Sequence, residues 1–364
     1  MKKTFLLFIL ISFCFALFAA DNTAKTDESV VAYRNALEAM DALDYGTALK
    51  YSEDAILYRK QRIEKQISTL KNSLSAKRVQ AAGERFEPIL NVLENRGENE
   101  TAGIINFYLK KKSKEYFNDS INNLLDYMES CMAFPEAHKL IGDIYKLEGE
   151  YVFAEDYYRM ALDNAEVLDI PDEKYEILYM LADISRLKND LPKMEVRLLN
   201  ILTDDSNYKN NALKRSMKET ISGNKVDSFD KFFNLFRADS YVCINAYNQL
   251  AEYYHDVGES QKALEFASLA AITSFTRINE ILESRNSIYE FENFEVFIQE
   301  ASFYDDVIEW GSRNQVWKSF NILARFAHEA GYKNFSLKFL KILAQWSPEK
   351  YWQRDAVLLL ENTN

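Results

Sequence analysis

Glycine and proline are scarce in this chain, at 10 and 5 of 364 residues. So few breakers leave little for β-turns or for a glycine-rich loop around a phosphate. Long apolar-periodic runs with short interruptions instead favour helices joined by short turns. Cysteine and histidine are rarer still, at three each. Neither falls in a HExxH or Cys/His cluster of the kind that holds zinc, and no Walker loop, EF-hand, nucleophile elbow or Rossmann glycine pattern occurs. Adjacent acids such as Asp305 and Asp306 do not face each other on a helix as a catalytic pair would. The sequence therefore reads as non-enzymatic, with no cofactor and no metal. Basic charge is also in deficit, with a net charge of −12, so nucleic acid is a poor partner. What the chain has in quantity is apolar surface: 48% of its residues are hydrophobic and 14% aromatic, enough to bury a core and exclude general disorder. The class expected is all-α.

The N-terminus, MKKTFLLFILISFCFALFAADNTA, is composed like a secretory signal peptide over residues 1–20. Lys2 and Lys3 form a basic start, Phe5 to Phe18 an apolar run, and Ala19-Ala20 a small-residue exit. The run is short for a membrane span of about 20 residues. Phe18 or Leu17 occupies a position where cleavage prefers a small residue, so an uncleaved N-terminal anchor is the alternative. Cys14 stands where a lipidated cysteine would, but Phe13 before it is too large for that signal. The expected destination is a bacterial periplasm or cell envelope. Removing the signal leaves a net charge of −14 and two cysteines, Cys131 and Cys243, both inside apolar helical runs and expected as buried thiols.

The stretch from His138 to Leu162, HKLIGDIYKLEGEYVFAEDYYRMAL, orders small, aromatic and aliphatic residues with a purpose. Counted from Pro135, Gly142 and Ala154 are small where two antiparallel helices would cross closely. Tyr145 and Tyr158 would fill the space beside them, and Gly149 would end the first helix with a left-handed turn. The same template fits from Ile244, with Tyr247, Leu250, Ala251, Tyr254, Gly258, Ala263 and Ala270 in register. It fits from Tyr175 through Leu178, Leu181 and Ala182, and from Trp317 through Leu323, Ala324, Gly331 and Pro348. A weaker fit starting at residue 29 keeps Tyr45, Ala48 and Ala55. The gaps between the starts at 29, 135, 175, 244 and 317 lie close to whole multiples of a repeat of about 34 residues. A last helix, Pro348 to Leu360, would cap the array.

This pattern resembles the tetratricopeptide repeat, clearly over 135–200, 244–272 and 317–350. The resemblance implies a right-handed superhelical solenoid of antiparallel helix pairs, with an N-terminal helical region of degenerate repeats over 21–134 and the solenoid proper over 135–364. It also implies a concave face lined by the first helix of each repeat. Carried onto this sequence, that face holds Glu136, Lys139, Asp143 and Lys146, then Glu176, Tyr179, Asp183 and Arg186. Asn245, Asn248, Glu252 and His255 follow, and then Lys318, Asn321, Arg325 and His328. The lining is mixed in sign, and Asp143, Asp183 and Glu252 argue against a clamp for a partner's carboxylates. His255 and His328 sit near helix C-termini, where the dipole favours an imidazolium. Periplasmic tetratricopeptide proteins of spirochaetes have a similar signal and aromatic-rich repeats. That similarity implies a scaffold that binds protein partners in an envelope assembly such as the flagellar motor, or alternatively an accessory of a periplasmic solute transport system.

Charge is unevenly spread. Residues 59–114 carry 13 basic against 6 acidic side chains. Within them YRKQRIEKQISTLKNSLSAKRVQ reads as one long helix with Ile63, Ile67, Leu70 and Leu74 on its buried stripe. Arg59, Arg62 and Lys77 are expected on its open side. With Lys110, Lys111 and Lys112 they would form a basic docking face for an acidic protein or, peripherally, an anionic envelope surface. Its opposite is Asn286 to Trp310, with seven acids and no base, where Phe291, Phe294 and Phe297 read first as a buried face.

Overall fold

Among the described residues, five helices end on the same left-handed turn at one common position of their sequence fits. The structure, a computed structural model, describes residues 27–362, which are helical with turns, bends and irregular links and contain no strand. The expected signal segment lies outside the described residues. The turn residues are Leu43, Gly149, Asn189, Gly258 and Gly331, with φ of 61, 82, 56, 82 and 83°. Each stands at the fifteenth position of its sequence fit. In each turn that residue's N–H bonds the carbonyl three residues back, and the next N–H bonds the carbonyl five back. At Gly149 these bonds run to Lys146 at 3.2 Å and from Glu150 to Tyr145 at 2.8 Å. This pair of bonds satisfies the last carbonyls of a helix and reverses the chain.

The chain forms two compact units that part between Ile177 and Leu178. In the first, α1 (Glu28–Asp41) and α2 (Tyr45–Leu74) form a hairpin through the Leu43 turn. Asp44 caps α2 by accepting from the Thr47 N–H at 3.1 Å. The basic segment expected as one helix to Gln80 instead breaks at Ser75, and Lys77 begins a separate four-residue turn, α3 (Lys77–Gln80). Next come α4 (Phe86–Asn95), α5 (Asn99–Lys111) and α6 (Ile121–Ser130). They close a core around Ile63, Ile67, Leu70, Phe86, Phe117 and Leu124. Gly97, at φ 72°, repeats the hairpin turn between α4 and α5, a pair that the sequence fits did not place.

The hairpin of α7 (Pro135–Leu147) and α8 (Tyr151–Asp163) shows why the small residues are needed. A Cβ on Gly142 would lie 2.8 Å from the Tyr158 ring, and Ala154 and Ala161 are fully buried. The Tyr158 hydroxyl donates to Asp143 at 2.6 Å. Helix α9 (Glu173–Leu187) follows.

In the second unit, α10 (Leu191–Ile201) is tied back to α9 by Arg197, which donates to Ser185 Oγ at 2.8 Å. The next helices are α11 (Ser206–Lys209), α12 (Asn211–Ser222) and α13 (Ser228–Leu235). Then come α14 (Ile244–Asp256), α15 (Ser260–Arg285), α16 (Phe294–Ala301) and α17 (Asp305–Arg313). The unit ends with α18 (Val316–Glu329), α19 (Lys333–Trp346) and α20 (Lys350–Glu361). The pairs α14/α15 and α18/α19 share the glycine turn, the interval before α14 holds the pair α12/α13, and α16 and α17 each pack on α15. At 26 residues, α15 outlasts one repeat helix and is buried on nearly every face.

Aromatic rings fill this unit. Phe229 and Phe233 of α13, Phe294 of α16, Phe320 of α18 and Phe339 of α19 meet at centroid distances of 4.3 to 6.3 Å. Phe294 and Phe297 are buried there, whereas Phe303 stands 79% exposed. Cys131 and Cys243 are free and buried.

Candidate functional site

In the first unit, α7 places Lys139 3.6 Å from Asp143 and 3.4 Å from Glu176. Burial alone would lower the Lys139 pKa, but these two carboxylates hold it above the ordinary lysine value. Lys146 is half-buried one turn further on. Glu136 turns inward and is buried, accepting from the Asp169 backbone N–H at 2.8 Å. Burial pushes its carboxyl up, and burial together with Glu136 pushes Glu173 up to about 7.

In the second unit, two of the expected positions, on successive first helices, meet. Lys318 of α18 donates to Glu252 of α14 at 2.8 Å, and His255 bonds Glu329 at 2.7 Å while its ring stacks on Phe326. Arg186 pairs with Asp183 along α9, and Asn245 accepts from Gln249 at 3.1 Å. Arg325 lies over the Phe326 ring, and His328 is half-buried beside Ser336. The result is a half-buried polar row whose cations, for the most part, already have carboxylates. It has no surplus of positive charge.

Besides Glu136, which is buried and not on an open face, three expected site residues need correction. Asn248 and Asn321 are fully buried, and each donates its amide to a backbone carbonyl, of Gln315 and Trp352 respectively, at 3.2 Å. Tyr179, at the same repeat position, donates to the Val242 carbonyl at 2.9 Å and accepts from the Ala246 N–H. This position joins one first helix to the start of the next, which takes the amides away from solvent. The third correction is Arg59, which is 7% exposed. Its Nε donates to the Cys131 carbonyl at 3.1 Å, its guanidinium lies 4.4 Å over Phe134, and Glu136 is 3.9 Å away. It is an internal strut between α2 and the start of α7.

Of the other basic candidates, Arg62 is half-buried and paired with Asp27, while Lys77 is exposed. Lys110 is exposed, Lys111 pairs with Asp169 at 3.3 Å, and Lys112 lies over the Tyr116 ring. Among the described residues, no cluster of three His, Cys, Asp or Glu side chains is arranged to hold a metal ion. A cleft between α12 and α15 has a volume of about 60 Å³, lined by Lys214, Met217, Leu264 and Tyr332.

The sequence reading missed an exposed apolar edge on the α7/α8 hairpin: Leu147, Val152, Phe153 and Met160 are 60, 61, 54 and 47% exposed. Helical spacing gave no sign of it, because these residues flank the buried stripe.

Two spirochaetal proteins are similar to this chain. One from Treponema pallidum (strain Nichols) is 26% identical over 327 residues, spanning 88% of this chain and 86% of its own length. One from Borreliella burgdorferi is 23% identical over 268 residues, spanning 66% of this chain and 82% of its own. Both are described only as uncharacterised proteins. No protein-family model matches the chain.

Proposed function

We propose that the chain is a non-enzymatic scaffold of tetratricopeptide type. Exported to the periplasm, it stacks its helix hairpins into a right-handed solenoid and binds protein partners of an envelope-associated assembly. The observation that carries this reading is the recurrent turn. Leu43, Gly149, Asn189, Gly258 and Gly331 end helices at one repeat position with one set of hydrogen bonds. Repeated helix hairpins present extended surfaces in place of enclosed sites. The polar row on α14 and α18 supports the same reading, since its internal ion pairs order the side chains in advance and lower the cost of docking. The alternative, a ligand-binding accessory of a transport system, calls for a pocket of roughly 300 Å³ or more. The 60 Å³ cleft gives it no support.

The test is crosslinking in the native cell followed by affinity purification, run on the wild type beside a variant carrying Glu252→Lys and Arg325→Glu. A discrete protein captured by the wild type and lost from the variant supports the scaffold. A bound small molecule with no protein partner overturns it in favour of the transport accessory.

A further inference from the structure

The last turn of α5 and the loop after it carry a basic knob. Lys110 and Lys114 are exposed, and Lys112 lies 5.2 Å over the ring of Tyr116, itself 49% exposed. Edge contacts to Phe117 and Tyr127, at 5.1 and 5.7 Å, back that ring and fix its direction. Among the described residues, Lys110, Lys112 and Lys114 are in no ion pair, whereas Lys111 is held by Asp169. Glu115, beside Lys114, subtracts one charge and leaves the knob positive.

The second unit carries a surface of the same make and opposite sign. Ile288 and Phe303 are 87 and 79% exposed, on the segment before α16 and at the corner between α16 and α17. Within the same stretch, Glu290, Glu292 and Asp305 are exposed and in no ion pair among the described residues, while Asp306 and Glu309 are taken by Arg285 and Arg313. Each segment thus exposes apolar residues among like charges, the combination of anchor and charged rim that an interface half uses. Clusters of one sign repel themselves, and a matching cluster of opposite sign removes that cost.

We propose that a second copy of this chain seats its 288–305 segment on the Tyr116 knob of the first. The inference deepens the docking-face reading of the basic segment by naming its occupant. An anionic lipid surface would also attract lysines beside a tyrosine. It would leave Ile288 and Phe303 without a role, and it would repel a chain of net charge −12. The contact joins two different patches, so it closes into a small ring or extends as an open chain according to the rotation between copies.

Sedimentation velocity on the purified chain tests this across protein concentrations, at low salt and at about 1 M salt, where the screening length falls to about 3 Å. The wild type is expected to associate at low salt and to dissociate at high salt. A Lys110→Glu, Lys112→Glu, Lys114→Glu variant, or a Glu290→Lys, Glu292→Lys, Asp305→Lys variant, should each associate roughly tenfold more weakly or worse. Mixing the two variants should restore association, because each then supplies the charge the other lacks; simple misfolding would not be rescued in this way. A wild type that stays monomeric at every concentration overturns the proposal, as does association that neither variant alters. A monomer that instead sediments with phosphatidylglycerol vesicles through these lysines reassigns the knob to a membrane. The self-association readout is separate from capture of a different protein, so either proposal can fail alone.

Discussion

The amide of Asn248 donates to the backbone carbonyl of Gln315 at 3.2 Å, and that carbonyl stands at the start of α18. Asn321 repeats the bond one hairpin on, to Trp352 in the first turn of α20. Both amides are fully buried. Asn248→Ala and Asn321→Ala are therefore expected to lower stability by about 0.5–1.5 kcal/mol each, the net worth of the lost hydrogen bond; the Gln315 carbonyl keeps its bond from the Ser319 N–H. Urea unfolding midpoints read this directly. An unchanged midpoint together with weakened partner binding would return these residues to the binding face.

Leu43 holds a left-handed conformation that glycine occupies at three equivalent turns, and its side chain is 71% exposed. An L-residue there carries about 1–2 kcal/mol of strain, and the exposed side chain offers little packing to lose. Leu43→Gly should thus raise the unfolding temperature, while Gly258→Ala, at φ 82°, should lower it. A fall in stability for Leu43→Gly would show that the side chain packs against something the turn does not reveal.

Gly142 and Gly103 are both helix-interior glycines with opposite surroundings. Alanine gains about 1 kcal/mol over glycine in a helix interior. At Gly103 no atom lies within 4 Å of an added Cβ, so Gly103→Ala should stabilise by about that amount. At Gly142 the new Cβ would meet the Tyr158 ring at 2.8 Å, and Tyr158 is fully buried. Overpacking costs about 1–3 kcal/mol, so Gly142→Ala should be neutral to destabilising despite its better propensity. Thermal unfolding of the two variants side by side separates the effects.

These residues also show how far the sequence could be read. The turns at Gly149, Gly258 and Gly331 were legible because glycine marks a left-handed residue, whereas Leu43 and Asn189, which hold the equivalent turns, carry no such mark. The aromatic core was legible in the spacing of Phe294 and Phe297. Position five of the repeat misled at Asn248 and Asn321, because an amide suits a solvated face and a buried latch equally well. Arg59 could have been placed correctly: it lies four residues before Ile63, on the same buried stripe as Ile67 and Leu70, and its charge was weighed above its position. The exposed charge clusters were visible in composition, but the free lysines could be told from the paired ones only once Asp169 was seen beside Lys111.

Glu173 supplies a pH dependence of unusual sign. Its carboxyl is pushed from 4.5 up to about 7, first by burial and then by Glu136, with Glu176 and Asp169 adding and Lys139 opposing. Below pH 4.5 the group is protonated in both the folded and the unfolded chain, so its shift contributes nothing to stability. Between 4.5 and 7 the unfolded chain releases the proton while the folded chain keeps it, so stability falls as pH rises. Above 7 the whole penalty is present. Glu173→Gln removes the ionisation and should stabilise the chain at pH 8 by on the order of 1 kcal/mol after allowance for partial solvent screening. At pH 4 the variant and the wild type should unfold together. Thermal unfolding at both pH values provides the comparison. An equal difference at the two would mean that the carboxyl acts through packing, and a loss of stability at pH 8 would mean that the ionised form is held by Lys139 more strongly than Glu136 repels it.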